Sequence, residues 1–251
     1  MPSRTLIIGH RGASREAPEN TLASFDLAFQ QGADGVEADF RLTRDGEIVC
    51  LHDDGTARTG GADMRVADAT LGELRRLDVG LWKGERWRGE RLPLLNEALA
   101  ALPAGKRLFI ELKSGPEIIE PLAATLAAAG VAPGRLRLLA FSQDLILALK
   151  TCLPDYRTCW LTDYRLRGTW QPSPREILAT LRDCRADGLA SGDRAILDAC
   201  FVDALREESL EIHVWTVDKA ISARRLCALG VDSIMTNRPG WLRHALAEQA
   251  R

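Results

Sequence analysis

Short runs of β-branched and other apolar residues alternate with stretches of helical periodicity from one end of the chain to the other. That alternation is the signature of βα units and a parallel sheet. Eight runs have strand character: 6–10, 35–41, 108–113, 136–141, 157–161, 188–190, 212–217 and 233–236. Helical patterns separate them, among them 21–31, 117–129, 175–183, 196–208, 222–229 and 241–249. Eight βα units in 251 residues predict closure into a single (β/α)₈ TIM barrel spanning residues 1–251. Asn20 is a predicted helix N-cap, Gly32, Gly130 and Gly230 stand where helices should stop, and Pro239 opens the last one.

One segment interrupts the alternation. Asp45 and Gly46 form a turn signal between 40–43 and 48–51, predicting an antiparallel hairpin whose return strand lies outside the eight. From about 53 to 92 the chain is rich in Gly, Arg and Asp. This stretch is expected to form an inserted loop and helix segment after the second strand, with a short helix near 71–77.

Composition narrows the function classes. With 46% hydrophobic and 27% charged residues and a net charge of -2, the chain has the make-up of an ordinary globular protein. Arg is interspersed with Asp and Glu rather than gathered into a stripe, so nucleic acid is not an expected partner. The apolar positions before His10 are too few for a signal-peptide core, and 122–131 is too short to span a membrane, so a cytoplasmic location is expected. The six cysteines form no CxxC pair and have no zinc-ligand spacing, which favours reduced, structural thiols among apolar neighbours.

In a (β/α)₈ barrel, reactive groups gather at the C-terminal ends of the strands. His10, Arg11 and Gly12 end the first strand, Glu37 and Asp39 lie on the second, Glu111 and Lys113 end the third, and Trp215 lies near the end of the seventh. Glu37 and Asp39 are two residues apart and so share a face. With Val36 and Ala38 facing outward, that face is the barrel interior. Together with Glu111 they would repel one another unless protonated or paired with a cation. An all-oxygen set suits one divalent cation, Mg²⁺ or Ca²⁺; the plainer alternative is ion pairing of Glu37 or Asp39 with Arg41 or Lys113. His10 and His52 are the candidate proton-transfer pair, with unperturbed pKa values of about 6.5. Arg11 and Lys113 suit a phosphodiester anion, and Trp215 offers an apolar wall for a small polyol. His213 is expected deeper in the barrel as a structural residue, and His244 on the surface.

At these positions the chain resembles the glycerophosphodiester phosphodiesterases. The resemblance rests on His10, Arg11, Gly12, Pro18, Glu19, Asn20, Thr21, Gly32, Ala33, Glu37, Asp39, Thr43, Asp45, Gly46, His52 and Asp53. It continues through Gly80, Pro93, Glu111, Leu112, Lys113 and the run 214–217 to Gly230, Val231, Asp232 and the run 236–239. It implies metal-dependent hydrolysis of a small-molecule glycerophosphodiester to sn-glycerol 3-phosphate and an alcohol. His10 and His52 would be acid and base, Glu37, Asp39 and Glu111 would hold the metal, and Arg11 and Lys113 would bind phosphate. The chain departs from the family pattern at Ala140, where Ser is frequent, at Asn237, where Asp is common, and at Asp218, where Asn often stands. These are read as rim positions bearing on the leaving alcohol. Two rivals are a lysophospholipid or sphingolipid head-group phosphodiesterase on the same barrel and an inert phosphodiester-binding barrel.

Overall fold

The computed structural model describes residues 4–248. Its principal sheet contains β1 (Leu6–His10), β2 (Gly35–Leu42), β3 (Ile48–Cys50), β4 (Arg107–Leu112), β5 (Leu136–Ala140) and β6 (Arg157–Thr162). An exposed antiparallel hairpin, β7 (Arg165–Arg167) and β8 (Thr169–Gln171), follows β6. The principal sheet continues with β9 (Gly188–Gly192), β10 (Glu211–Trp215) and β11 (Ser233–Thr236). The strand order is β1-β11-β10-β9-β6-β5-β4-β2, and β1 pairs with β2 to close an eight-stranded parallel barrel. β3 adds to β2 in antiparallel sense, as the Asp45-Gly46 turn predicted.

Two apolar layers follow from the period-2 alternation along the strands. Ile8, Phe109, Leu139, Leu161, Ala190 and Met235 fill the barrel interior. Val36, Ala38 and Phe40 face outward into the larger layer beneath the helices. Glu37 and Asp39 therefore point inward, as their spacing required.

Several helix boundaries differ from the sequence reading. The first helix is Leu22–Gln30, and its N-cap is Thr21, whose hydroxyl accepts from the Ser24 amide in a capping box. Asn20 is not the cap. The helix predicted over 196–208 runs Ala199–Glu207 behind an Asp198 cap, because that carboxylate accepts from the Phe201 amide. The one predicted over 222–229 starts at Ala220, and the short helix at Leu71 ends at Leu74. Pro239 opens the last helix, which extends to Ala247; Gln249, the predicted end, lies outside the described residues, as do Met1, Pro2 and Ser3. Helices Leu95–Ala100 and Gln143–Cys152 complete the pattern. Among the described residues no helix is long and apolar enough to cross a membrane. Cys50, Cys159 and Cys184 are buried, whereas Cys152 and Cys200 are exposed, so burial holds for only part of the cysteine set.

The segment after β3 has a small apolar core of its own, in which Val49, Leu51, Val66, Leu74, Val79 and Leu92 pack together. Polar contacts anchor it to the loop after β1. Arg58 grips both oxygens of Glu19 at 2.8 and 2.9 Å, and Lys83 Nζ donates to the Ser14 carbonyl at 2.6 Å.

Low in the barrel, Arg137 makes two hydrogen bonds to Glu211, at 2.6 and 2.9 Å. His213 lies beside them, buried and hydrogen-bonded to Ser233 Oγ at 2.8 Å, in the structural place expected for it. Cys159, Glu211 and His213 converge, but Arg137 and Arg157 already neutralise the Glu211 carboxylate. Burial would raise the Glu211 pKa, but His213 and Arg137 outweigh it and hold the group at about 2. A carboxylate depressed in this way stabilises the fold above its unfolded pKa of about 4.3 and loses that contribution as pH falls toward 2. Glu211→Ala should destabilise the protein by about 3–5 kcal/mol by leaving the buried Arg137 guanidinium with backbone carbonyls but no carboxylate to balance its charge. It should also remove part of the acid sensitivity between about pH 4 and 2. Urea denaturation at pH 7 and pH 3 measures both effects; a stability change under about 1 kcal/mol at pH 7 would discard the account.

Candidate active site

Strand register gathers the reactive groups at the C-terminal mouth of the barrel. His10, the last residue of β1, is aligned with Glu37 on β2, and Asp39 two residues further on is aligned with Glu111 on β4. Immediately after β1 the chain turns sharply, with Arg11 at φ 56° and Gly12 at φ 83°. A Cβ on Gly12 would lie 2.4 Å from Ser24 Oγ, so only glycine fits. The left-handed Arg11 is uncommon for a residue with a long side chain. It directs the Arg11 amide to Glu37 Oε2 at 3.1 Å and the guanidinium to Glu19 and Asp39, at 2.8 and 3.1 Å.

Glu37, Asp39 and Glu111 are buried, with 1, 1 and 8% of their surface exposed. One oxygen from each lies within 4.8 Å of the others. Glu37 Oε1 has no hydrogen-bond partner. Asp39 Oδ1 and Glu111 Oε1 meet only Lys113 Nζ, at ion-pair distance without a well-aligned hydrogen bond. Burial first, then the charge of Asp39, pushes Glu37 up to about 8 and Glu111 to about 7. Asp39 would also be raised by burial, but Lys113 and Arg11 hold it at about 2. The protein's own cations thus compensate one of three carboxylates. Three converging hard oxygen donors, one wholly unpartnered, fit a divalent cation. Arg41 plays no part in pairing Glu37 or Asp39: its guanidinium donates to the His52 carbonyl at 2.7 and 3.1 Å.

Each candidate histidine is held through Nδ1. His10 Nδ1 lies 2.9 Å from Asn237 Oδ1, and its Nε2 lies 3.9 Å from Glu37 Oε2. His52 follows β3 and sets Nδ1 2.7 Å from Asp53 Oδ1, while Arg58 grips Asp53 and Glu19 together. Burial lowers both imidazole pKa values; Arg11 adds to the shift at His10 while Asn237, Asp39 and Glu111 oppose it, and at His52 Asp39 and Asp53 oppose the shift while Arg11 and Lys113 add to it. Both histidines border one pocket with Glu37, Glu111, Arg11 and Lys113. Trp215, the last residue of β10, forms an apolar wall there with Phe141, their rings edge to face at 6.0 Å. A larger open groove beside it, lined by Asp193, Arg194 and Lys219, brings together no comparable set of reactive groups. His244 is on the surface, with three quarters of its side chain exposed.

The roles of three site residues escape the sequence reading. Asn20 has φ 59° and donates from Nδ2 to Asp39 Oδ2 at 2.9 Å, while its Oδ1 accepts from the Asp39 amide at 3.2 Å. Its position before a helix suggests a cap; its work is to hold a carboxylate 19 residues away. Asn237 and Asp218 read as rim positions in the sequence. Asn237 instead touches His10 directly, and Asp218 holds Asn237 from behind.

Comparison with known proteins agrees with this geometry. The family model for the glycerophosphoryl diester phosphodiesterase family matches residues 10–241. A glycerophosphodiester phosphodiesterase of Caldanaerobacter subterraneus is 32% identical over 243 residues, covering 94% of this chain and 95% of its own length. The structure of an Oleispira antarctica phosphodiesterase in complex with the product sn-glycerol-3-phosphate superposes with a TM-score of 0.86 at 27% identity, over 97% of each chain. A glycerophosphodiester phosphodiesterase structure from Agrobacterium tumefaciens has a TM-score of 0.81 at 29% identity, over 96% of this chain and 99% of that one. With the match running through nearly all of the barrel, the chain belongs to the glycerophosphoryl diester phosphodiesterase family.

Proposed function

We propose that this protein hydrolyses glycerophosphodiesters to sn-glycerol 3-phosphate and an alcohol by acid–base catalysis with His10 and His52. The observation that carries the reading is one pocket in which two Nδ1-anchored imidazoles, the Glu37 and Glu111 carboxyls and two cationic side chains converge, with Asp39 clustered against the two carboxyls. Glu37, Asp39 and Glu111 would hold one divalent cation, Mg²⁺ or Ca²⁺, which when bound supplies charge stabilisation to the phosphoryl oxygens. Arg11 and Lys113 orient the phosphodiester, and the Trp215 face packs against the glycerol carbons.

The first nucleophile is the glycerol hydroxyl next to the phosphoester, held close to phosphorus within one molecule. His10 takes its proton as the new P–O bond forms. The bond to the leaving alcohol breaks, and His52 protonates that oxygen. We take His52 as the acid and His10 as the base, because the Asp53 carboxylate at His52 Nδ1 opposes the lowering of its pKa by burial, whereas His10 Nδ1 meets a neutral amide. Water then opens the cyclic phosphate with the two roles reversed, releasing sn-glycerol 3-phosphate. Glycerophosphoethanolamine should therefore be cleaved, and its analogue lacking the vicinal hydroxyl should react at least about 10²-fold more slowly for want of an internal nucleophile. Product analysis on the two substrates tests this; equal rates would mean that water attacks phosphorus directly.

A further inference from the structure

We infer that Asp218 is a positioning residue for catalysis, because it fixes the Asn237 amide in the orientation that keeps the proton of neutral His10 on Nδ1 and leaves Nε2 free to accept. Asp218 follows β10, whereas the residues it orders belong to the β11 end and the β1 end. Its Oδ1 accepts from the Thr236 hydroxyl at 2.8 Å and from the Asn237 backbone amide at 2.9 Å. Its Oδ2 accepts from Asn237 Nδ2 at 2.7 Å.

An ionised carboxylate offers no hydrogen to donate, so the Asn237 side chain must present its NH₂ to Asp218. Its Oδ1 is thereby turned to His10 Nδ1, and an amide oxygen can only accept. The Ser14 hydroxyl lies 2.8 Å from the same Oδ1 and 2.7 Å from the His10 carbonyl with one hydrogen for the two acceptors, so the orientation is set by Asp218. Neutral His10 is therefore the tautomer with Nδ1–H, and its lone pair is on Nε2, 3.9 Å from Glu37. If the Asn237 amide were reversed, it would offer N–H to Nδ1, force the proton onto Nε2 and remove the acceptor from the pocket. Asp218 touches neither His10 nor the three buried carboxylates; it acts through Asn237 alone.

Asp218 and Asn237 act as one device. Asp218→Asn leaves two amides facing each other. If the introduced amide keeps its oxygen toward the Thr236 hydroxyl and the Asn237 backbone N–H, its NH₂ meets the Asn237 NH₂, and the weaker partner flips. The exchanged pair, Asp218→Asn with Asn237→Asp, restores an acceptor at every place where a donor points. The amide at position 218 then donates to the carboxylate at position 237, and that carboxylate accepts from His10.

The inference rests on the reading of His10 as a proton-transfer residue, and the test separates the two. With Mg²⁺ present, Asp218→Asn should lower kcat by about 10²-fold, the lower range for loss of a general base, with KM unchanged. The exchanged double variant should recover most of that loss. In protein labelled with ¹⁵N at its four histidines, the His10 signals, assigned through His10→Ala, should show a protonated Nδ1 in the parent and in the double variant. In Asp218→Asn they should show a protonated Nε2. Wild-type kcat in Asp218→Asn, an unchanged tautomer despite lost activity, or a double variant as slow as the single one would each overturn the inference. Full turnover by His10→Ala would instead remove the acid–base reading, while the nitrogen spectra would still report whether Asp218 sets the tautomer.

Discussion

Exhaustive removal of divalent cations should abolish turnover of glycerophosphodiesters, and Mg²⁺ or Ca²⁺ should restore it. Glu37 and Glu111 are pushed to about 8 and about 7 by burial and by the charge of Asp39, so without a cation Glu37 is largely protonated near pH 7 and Glu111 partly so. A bound divalent ion displaces those protons, so its affinity should fall as pH drops from about 8 toward 6. The sign follows from the raised pKa values: below them protons compete with the metal, and above them the carboxylates are free to bind it. Glu37→Gln should be the most damaging single change in the set, because Glu37 Oε1 has no protein partner to replace the ion. Activity and Mg²⁺ titrations on dialysed protein at pH 6, 7 and 8 measure this. Full turnover in metal-free protein would dispose of the metal assignment.

His10→Ala and His52→Ala should each lower kcat by about 10² to 10⁴-fold on a substrate with a poor leaving alcohol. In-line displacement needs proton removal on one side of phosphorus and proton delivery on the other, so neither imidazole can replace its partner. A glycerol phosphodiester with a p-nitrophenol leaving group needs little protonation. It should rescue His52→Ala, whose missing group is the acid, and leave His10→Ala slow. Equal losses on both substrates, or wild-type activity in either variant, would show that the two roles are not divided in this way.

What the sequence makes legible follows from how local each signal is. The inward face of Glu37 and Asp39 is legible because a strand has period two, and the barrel is legible because eight apolar runs alternate with helical ones. The partners of those side chains are not, because they are set by contacts between distant segments. Asn20 resembles a cap because it precedes a helix; nothing local announces the left-handed backbone that sends its amide to Asp39. Asn237 and Asp218 read as rim positions in the sequence, and only the approach of the β1, β10 and β11 ends shows that Asn237 touches His10 and Asp218 holds Asn237. The β7–β8 hairpin gives little signal, since its residues are mostly exposed and lack an apolar face.

The antiparallel strand β3 has a further consequence. His10 and the three carboxylates belong to the closed barrel, whose strands are hydrogen-bonded on both sides, whereas His52 is delivered by an added strand whose neighbours have a separate apolar core. The two candidate imidazoles thus stand beside different apolar clusters, the smaller one tied to the barrel by the β2–β3 pairing, by Ile48 and Cys50 in the larger core, and by the Glu19–Arg58–Asp53 ion pairs. A local opening of the smaller cluster would carry His52 away from the mouth while leaving His10 and the three carboxylates in place.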